Sequence, residues 1–315
     1  MREGQFIKQN IERWKSYDEP TEDPDEVAKR FTYLVDDLSY AKTFYPFSNT
    51  VKFINGLAAN IYLSIYRNRR EKHGRFRLFW KQELPLIMYK YRRMLLFTFL
   101  FFSAFVAIGV FSGMQDQTFV RAVLGDQYVD MTERNIANGD PFGVYKDENP
   151  FPMFLRIAFN NIKVAFYCFA MGIFVSVGTL WVLFRNGLMV GVFEQMFFHH
   201  GLGVKSILVL FIHGTLEISA IVIAGCGGMI IGNSILFPRT YTRSQSLAMA
   251  AKDAIKIVAG LVPVFFVAAF FEGFVTRYTE MPVFLSVTIL GTSLAFILWY
   301  FVFYPIKVNK RLHEA

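Results

Sequence analysis

Histidine and glutamate inside an apolar helix can bind or move a cation, and this sequence sets them at the spacing that chemistry needs. His213 and Glu217 stand four residues apart in a run with no other charged residue, so a helix stacks them on one face. A carboxylate near the centre of a membrane helix costs on the order of 2.5–3.5 kcal/mol even on insertion scales. Such a group is therefore expected to face a protein interior. Glu272 lies toward one end of the next apolar run, and Glu194 precedes His199 and His200 in a shorter one. These residues form the candidate intramembrane polar cluster: His213, Glu217, Glu272 and Glu194. Three roles compete. The pair can pin helices together, it can line a proton, ion or solute pathway, or it can support metal-assisted hydrolysis. The third lacks the His-Glu-x-x-His spacing of a metalloprotease helix. The neighbours His199 and His200 point about 100° apart on a helix and do not converge on one ion. No phosphate-binding glycine loop, nucleophile elbow or Cys-x-x-Cys pair is present. No catalytic residue, cofactor or metal is assigned.

The elements that position these residues are membrane helices. Apolar residues make up 54% of the 315 positions and charged residues 18%, against about 45–50% and about 25% in soluble chains. Met94–Phe111 and Val164–Phe184 hold no charge, and about 20 apolar residues span the ~30 Å hydrocarbon core. The expected fold is all-α: a polytopic transmembrane helical bundle behind an N-terminal cytoplasmic helical region. Five clear spans are read at 94–114, 163–184, 205–232, 257–275 and 282–305. The residues after His213 on its face, Ala220, Ala224 and Gly228, are small and belong against another helix. Gly260, Val264, Ala268 and Glu272 form a matching face. Cys168 and Cys226 lie within spans and read as small buried hydrophobes.

Residues 1–93 are read as cytoplasmic helices ending in a basic elbow. The first forty residues lack a signal peptide's apolar stretch, so the first span is expected to act as an internal anchor. Val27, Phe31, Leu34, Leu38 and Ala41 share one helical face, Tyr45-Pro46 ends it, and Val51, Ile54, Leu57, Ala58 and Ile61 form the next. These predict an antiparallel helical hairpin. The elbow carries Arg67, Arg69, Arg70, Arg92 and Arg93 with interleaved Phe76, Phe79 and Trp80, a pattern for a helix lying in the membrane interface. The net charge of +8 thus points to anionic headgroups and not to nucleic acid.

Charge placement also constrains the topology. With residues 1–93 inside, five crossings put Arg239, Arg243, Lys252, Lys256 and the basic tail 307–315 outside, against the positive-inside tendency. One further short or re-entrant segment at 186–203 repairs both. The transmembrane domain is 94–306, with both termini cytoplasmic. Its extracytoplasmic segment, 115–156, is acidic and holds one helix near 118–138.

Several short blocks carry a family resemblance. They are Asn160-Asn161, the Gly172 to Gly178 spacing, Asn186-Gly187-Leu188 with Gly191, His213-Gly214-x-x-Glu217 leading to Gly228, and Phe271-Glu272-Gly273-Phe274. Arg30, Leu38, Ala41 and Tyr45-Pro46 add to them. The chain resembles the stage II sporulation protein M family of bacterial membrane proteins. The resemblance implies an all-helical inner-membrane protein without an established enzyme activity. The founding member is associated with engulfment, as an anchor or scaffold for peptidoglycan-degrading partners. Many relatives occur in bacteria that do not sporulate, often beside genes for AAA+ ATPases. In this frame Asn161, Asn186, Gly187, Gly191, Gly214, Gly228 and Gly273 are expected to serve helix packing or hinges. The leading functional expectation is a non-catalytic scaffold in the cell envelope. A transporter or channel component with a His/Glu cluster is the alternative, and an intramembrane metal-assisted hydrolase the second. Expected partners are membrane lipids, other envelope proteins, a separate ATPase and further copies of the chain.

Overall fold

In the computed structural model the described residues are 1–17, 19, 21, 23–67, 74–143 and 149–314. Among them every regular element is helical. The chain divides into two compact units, Met1–Arg75 and Phe76–Ala315. Arg69 and Arg70, and the side chain of Arg67, lie outside the described residues, as do Lys146, Asp147 and Glu148.

The first unit is built from α1 (Glu3–Ser16), α2 (Pro24–Phe44) and α3 (Asn49–Arg67). Asp23 caps α2 by accepting from the Asp25 amide, with Pro24 at the first helical position. The predicted α2–α3 hairpin forms, and α1 completes it. Phe6 and Trp14 enter one core with Leu34, Ala41, Ile54, Leu57 and Ala58. The Trp14 indole donates to Asp37 at 2.7 Å, and Arg13 pairs with the same carboxylate at 2.6 Å. At the other end of α1, Glu3 accepts from the hydroxyls of Ser48 and Thr50.

The second unit opens with the elbow. Residues 75–90 are helical throughout, with a π-helical stretch in the middle. A turn at α4 (Arg75–Leu78) passes through a π-helical stretch, Phe79–Glu83, into α5 (Leu84–Lys90). Pro85 explains the change. It has no N–H to give to the carbonyl of Lys81, four residues back. The wider turn also leaves the Trp80 carbonyl without a helical partner. The Tyr300 and Tyr304 hydroxyls donate to these two carbonyls, Trp80 at 2.8 Å and Lys81 at 3.1 Å. Leu84, Pro85, Ile87 and Met88 are buried, so this segment packs into the bundle. Lys90 and Tyr91 bind Asp253 at 2.7 and 2.9 Å, and Lys256 binds Glu83 at 2.7 Å.

The bundle follows. Its long helices are α6 (Arg92–Gln115), α9 (Pro150–Ala170), α10 (Val177–His199), α11 (Gly203–Leu236), α12 (Arg243–Phe270) and α13 (Val283–Leu298). Between α6 and α9 stand α7 (Gln117–Leu124) and α8 (Asp126–Ala137), and α14 (Tyr304–Glu314) ends the chain. Four stretches, Arg92–Gln115, Gly203–Leu236, Arg243–Val275 and Val283–Glu314, are long and apolar enough to cross a membrane. Helices α9 and α10, of 21 and 23 residues, carry Arg156 with Lys163 and Arg185 with Glu194.

Neighbouring contacts give the directions. Gly187 and Gly191 of α10 meet the backbone of α6 at Phe102 and Val106, so α6 and α10 run parallel. Leu183 and Thr179 meet Gly225 and Gly228 in reverse order, so α11 is antiparallel to α10. Gly172 and Cys168, at the end of α9, also meet Gly228. His213 meets Thr276 while Gly227 meets Ala254, so α12 is antiparallel to α11, and α13 returns to the elbow, where Tyr300 meets Trp80. The six long helices alternate in direction. One end of the unit carries the elbow and the other carries α7–α8.

The stretch 163–184, read above as one span, is therefore divided. It ends one helix and begins an antiparallel one, with the turn at residues 171–176. Val175 and Ser176 have φ of 57° and 69°, an unfavourable left-handed conformation for a β-branched residue. A side chain at Gly172 would approach the Gly228 carbonyl to 2.1 Å, and one at Gly232 would meet the Ser176 backbone nitrogen at 2.1 Å. Close backbone packing holds this turn. The short segment at 186–203 is correspondingly not separate. It is the continuation of α10 into the turn before α11. The predicted single helix near 118–138 is two, because Gly125 (φ 89°) stops α7 before α8 begins.

Candidate functional site

The expected cluster assembles from three elements. Helix α11 supplies His213 and Glu217 on one face. A π-helical turn at Phe271–Val275, at the end of α12, supplies Glu272 and presents Thr276 just after it. Helix α9 brings Asn161. One ligand-capable atom each from His213, Glu217 and Glu272 lies within 4.8 Å of the others. These positions are roughly 15–21 Å along α11 from its first residue, at ~1.5 Å per residue.

The hydrogen bonds orient the imidazole. The Thr276 hydroxyl donates to the Phe271 carbonyl at 3.1 Å. Its oxygen therefore accepts from His213, whose Nδ1 stands 2.9 Å away. In the neutral ring this leaves Nε2 as the acceptor nitrogen. Nε2 faces Glu272 Oε2 at 3.9 Å. The Asn161 amide nitrogen is buried and approaches Glu217 without closing a hydrogen bond. Arg156 acts on Glu272 as a favourable charge. An imidazole lone pair and two carboxylates thus converge on one small volume. Two carboxylates this close to each other, away from water, are neutralised either by a bound cation or by protonation.

A cavity of about 360 Å³ leads to this cluster. Asn186, Glu194, His213, Gly214 and Glu217 line it, with Tyr128 of α8 at its far side. Glu194 lies in the same cavity but apart from the triad, accepting from Ser206 at 2.7 Å. Helices α7 and α8 cover this end of the unit. Val120 and Val129 pack with Val192, Phe197 and Val209, and Arg121 ties Asp130 and Glu133 together at 2.6 and 3.2 Å.

The remaining expected residues separate into two groups. Gly191 and Gly228 make backbone approaches too close for a side chain, Gly187 would place a Cβ 3.0 Å from the Phe102 carbonyl, and Gly273 abuts Phe154. Gly214 makes no such approach, its nearest neighbour being Ile218 at 3.8 Å, and it lines the cavity. Asn186 donates to the Val182 carbonyl at 2.8 Å and also lines the cavity. The His199 and His200 rings meet edge to face, and His200 contacts the Met196 carbonyl at 2.8 Å. Neither reaches the cluster. Sequence reasoning missed Thr276 and Arg156. Thr276 was accessible to it, four residues after Glu272 as Glu217 is after His213.

Residues 97–277 match the family described as Stage II sporulation protein M. Residues 4–67 match a family described as Domain of unknown function (DUF8413). No curated protein and no solved structure matches the chain.

Proposed function

The chain belongs to the stage II sporulation protein M family, and from that premise we propose that it is a transporter or channel component that binds a divalent cation within the membrane. The observation that carries this reading is the convergence of His213, Glu217 and Glu272 at the end of a cavity. Two carboxylates and one divalent ion sum to zero charge, the cheapest state in a low dielectric. The imidazole donates its second nitrogen to Thr276, as metal-bound histidines donate theirs to a fixing partner. A cation held at ~2.1 Å from each ligand would draw the three atoms to about 3.5 Å apart, a small rotation from their present spacing.

Transport requires a crossing bundle. The proposed topology has six crossings, α6 and α9–α13, in the bacterial inner membrane with both termini cytoplasmic. Arg92, Arg93, Arg239, Arg243, Lys252, Lys256, Lys307 and Arg311 all belong to the elbow end, which supports that end facing the cytoplasm. The acidic α7–α8 cap then faces outward, over the mouth of the cavity.

The test is flux into liposomes reconstituted with the purified protein, using a divalent-ion dye and a pH dye in parallel. Divalent entry that is lost in Glu217→Gln supports the reading. Proton flux alone would replace the metal by a proton, and no flux in wild type would reject a pathway. The scaffold reading stays as the second, favoured by the self-contained Met1–Arg75 unit with its own family match. A stoichiometric partner lost when residues 1–75 are removed would support it.

A further inference from the structure

A second cavity, of about 490 Å³, lies in the bundle at the elbow end. Its walls are α6, α11, α13 and α14, and nearly all its lining is apolar: Leu96, Phe99, Val222, Leu298 and Ile306 are typical. Only Arg92 among the lining residues carries a charge. Leu96, Phe99, Leu298 and Ile306 are exposed, so the cavity opens sideways as a groove. Along α6 it runs from Arg92 to Val106, about 20 Å at ~1.5 Å per residue. That is slightly more than the ~15 Å of one leaflet's hydrocarbon.

Arg92 is the cation that borders this groove. At the same end Lys90 and Lys256 are paired with Asp253 and Glu83. Arg92 forms no ion pair among the described residues. Its guanidinium lies over the Tyr89 ring, 4.1 Å from the centroid, and one nitrogen donates to the Tyr89 carbonyl at 3.0 Å. The residue is exposed and lines the groove. A cation as the first residue of a helix gains nothing from the helix dipole. Arg92 is the charge in the groove that favours an anion.

We propose that this groove is a binding site for one anionic phospholipid molecule, with an acyl chain along Phe99 and Val222 and the phosphate on Arg92. Charge complementarity selects a lipid over a second protein copy. An apolar slot one leaflet deep, ending in a fixed arginine at the interface, matches an amphiphile of that length. Phe102, Val190, Phe211 and Ile218 line both this groove and the cavity at the His/Glu cluster. The lipid would therefore form part of the wall behind that cavity.

The test is native mass spectrometry of the full-length protein in mild detergent, titrated with phosphatidylglycerol or with phosphatidylcholine of identical chains. The expected result is one tightly held phosphatidylglycerol, preferred about tenfold. Arg92→Gln should remove the preference and Arg92→Lys should keep part of it. Ser219→Phe, which fills the groove, should lower the binding of both lipids. Arg92 is exposed, so its variants are expected to fold, and an unchanged elution profile checks this. Equal binding of the two lipids by wild type would overturn the proposal. So would an unchanged preference in Arg92→Gln, or a dimer that Ser219→Phe dissolves.

Discussion

At the scale of single residues, the cluster depends on side chains outside the triad itself. Thr276 fixes the imidazole by accepting from Nδ1 while donating to Phe271. In Thr276→Val the ring loses that anchor, and its Nδ1–H is left without the acceptor. Loss of such a supporting partner typically weakens metal affinity by about 10–100-fold. We expect that loss in divalent-cation binding by Thr276→Val, with Thr276→Ser close to wild type. Equal affinity in all three would show that Thr276 does not orient the ring. His213, Glu217 and Glu272 were legible in the sequence because an ionisable residue in an apolar run is expensive. Their hydrogen bonds were not. The helical period places His213 and Glu217 on one face, and the pull of Thr276 and Glu272 on the ring comes from a separate helix.

At the scale of elements, short turns set the geometry more than the long helices do. Gly172 and Gly228 bring α9 and α11 into backbone contact. In Gly172→Leu the new Cβ alone would fall 2.1 Å from the Gly228 carbonyl oxygen. Backbone cannot yield as a side-chain tip does, so overpacking here should cost about 3 kcal/mol. A marked fall in thermal stability in detergent should follow, whereas Gly291→Ala, with open space around it, should be near neutral. Similar melting temperatures for the two would contradict the close packing. The hidden turn at 171–176 shows why the sequence misled over 163–184. Residues Val164–Phe184 are uniformly uncharged, and no proline marks the bend. The chain reverses at Val175-Ser176 because tertiary packing holds an unfavourable conformation, which no local propensity announces.

The first unit gives an element-scale prediction of its own. Hydrogen bonds from Ser48 and then Thr50 hold the Glu3 carboxyl below its usual value of 4.5. A carboxyl lowered in the folded state stabilises the fold above its unfolded value, and that contribution is lost as pH falls through the folded one. Glu3→Gln should therefore increase proteolysis of α1 at neutral pH. The difference from wild type should shrink in acid, read as cleavage rate by a protease active across that range. A difference that persists at pH values well below 4.5 would exclude Glu3 ionisation as the cause.

At the scale of the whole molecule, charge placement and helix direction agree. The positive-inside tendency demanded an even number of crossings, and the alternating helices supply six candidates, four of them long and apolar enough on composition alone. Polar residues hid the other two. Arg156, Lys163, Arg185 and Glu194 dilute the apolar signal of α9 and α10, and Glu194 lines the cavity. Of these four only Glu194 faces the interior; Arg156, Lys163 and Arg185 are exposed. Single cysteines at Ser48, Gln127 and Asn309 should make the topology visible. An impermeant thiol reagent should label only position 127 in intact spheroplasts. Labelling at position 309 before lysis would reject six crossings.

The most direct test is equilibrium binding of Mn²⁺ and Zn²⁺ to the purified full-length protein at neutral pH, counted per chain after dialysis. The cluster of His213, Glu217 and Glu272 predicts one bound ion per chain, lost in Glu217→Gln and in Glu272→Gln while both variants elute as wild type. No bound ion in wild type, or the same occupancy in both variants, would contradict a cation site at the centre of this bundle.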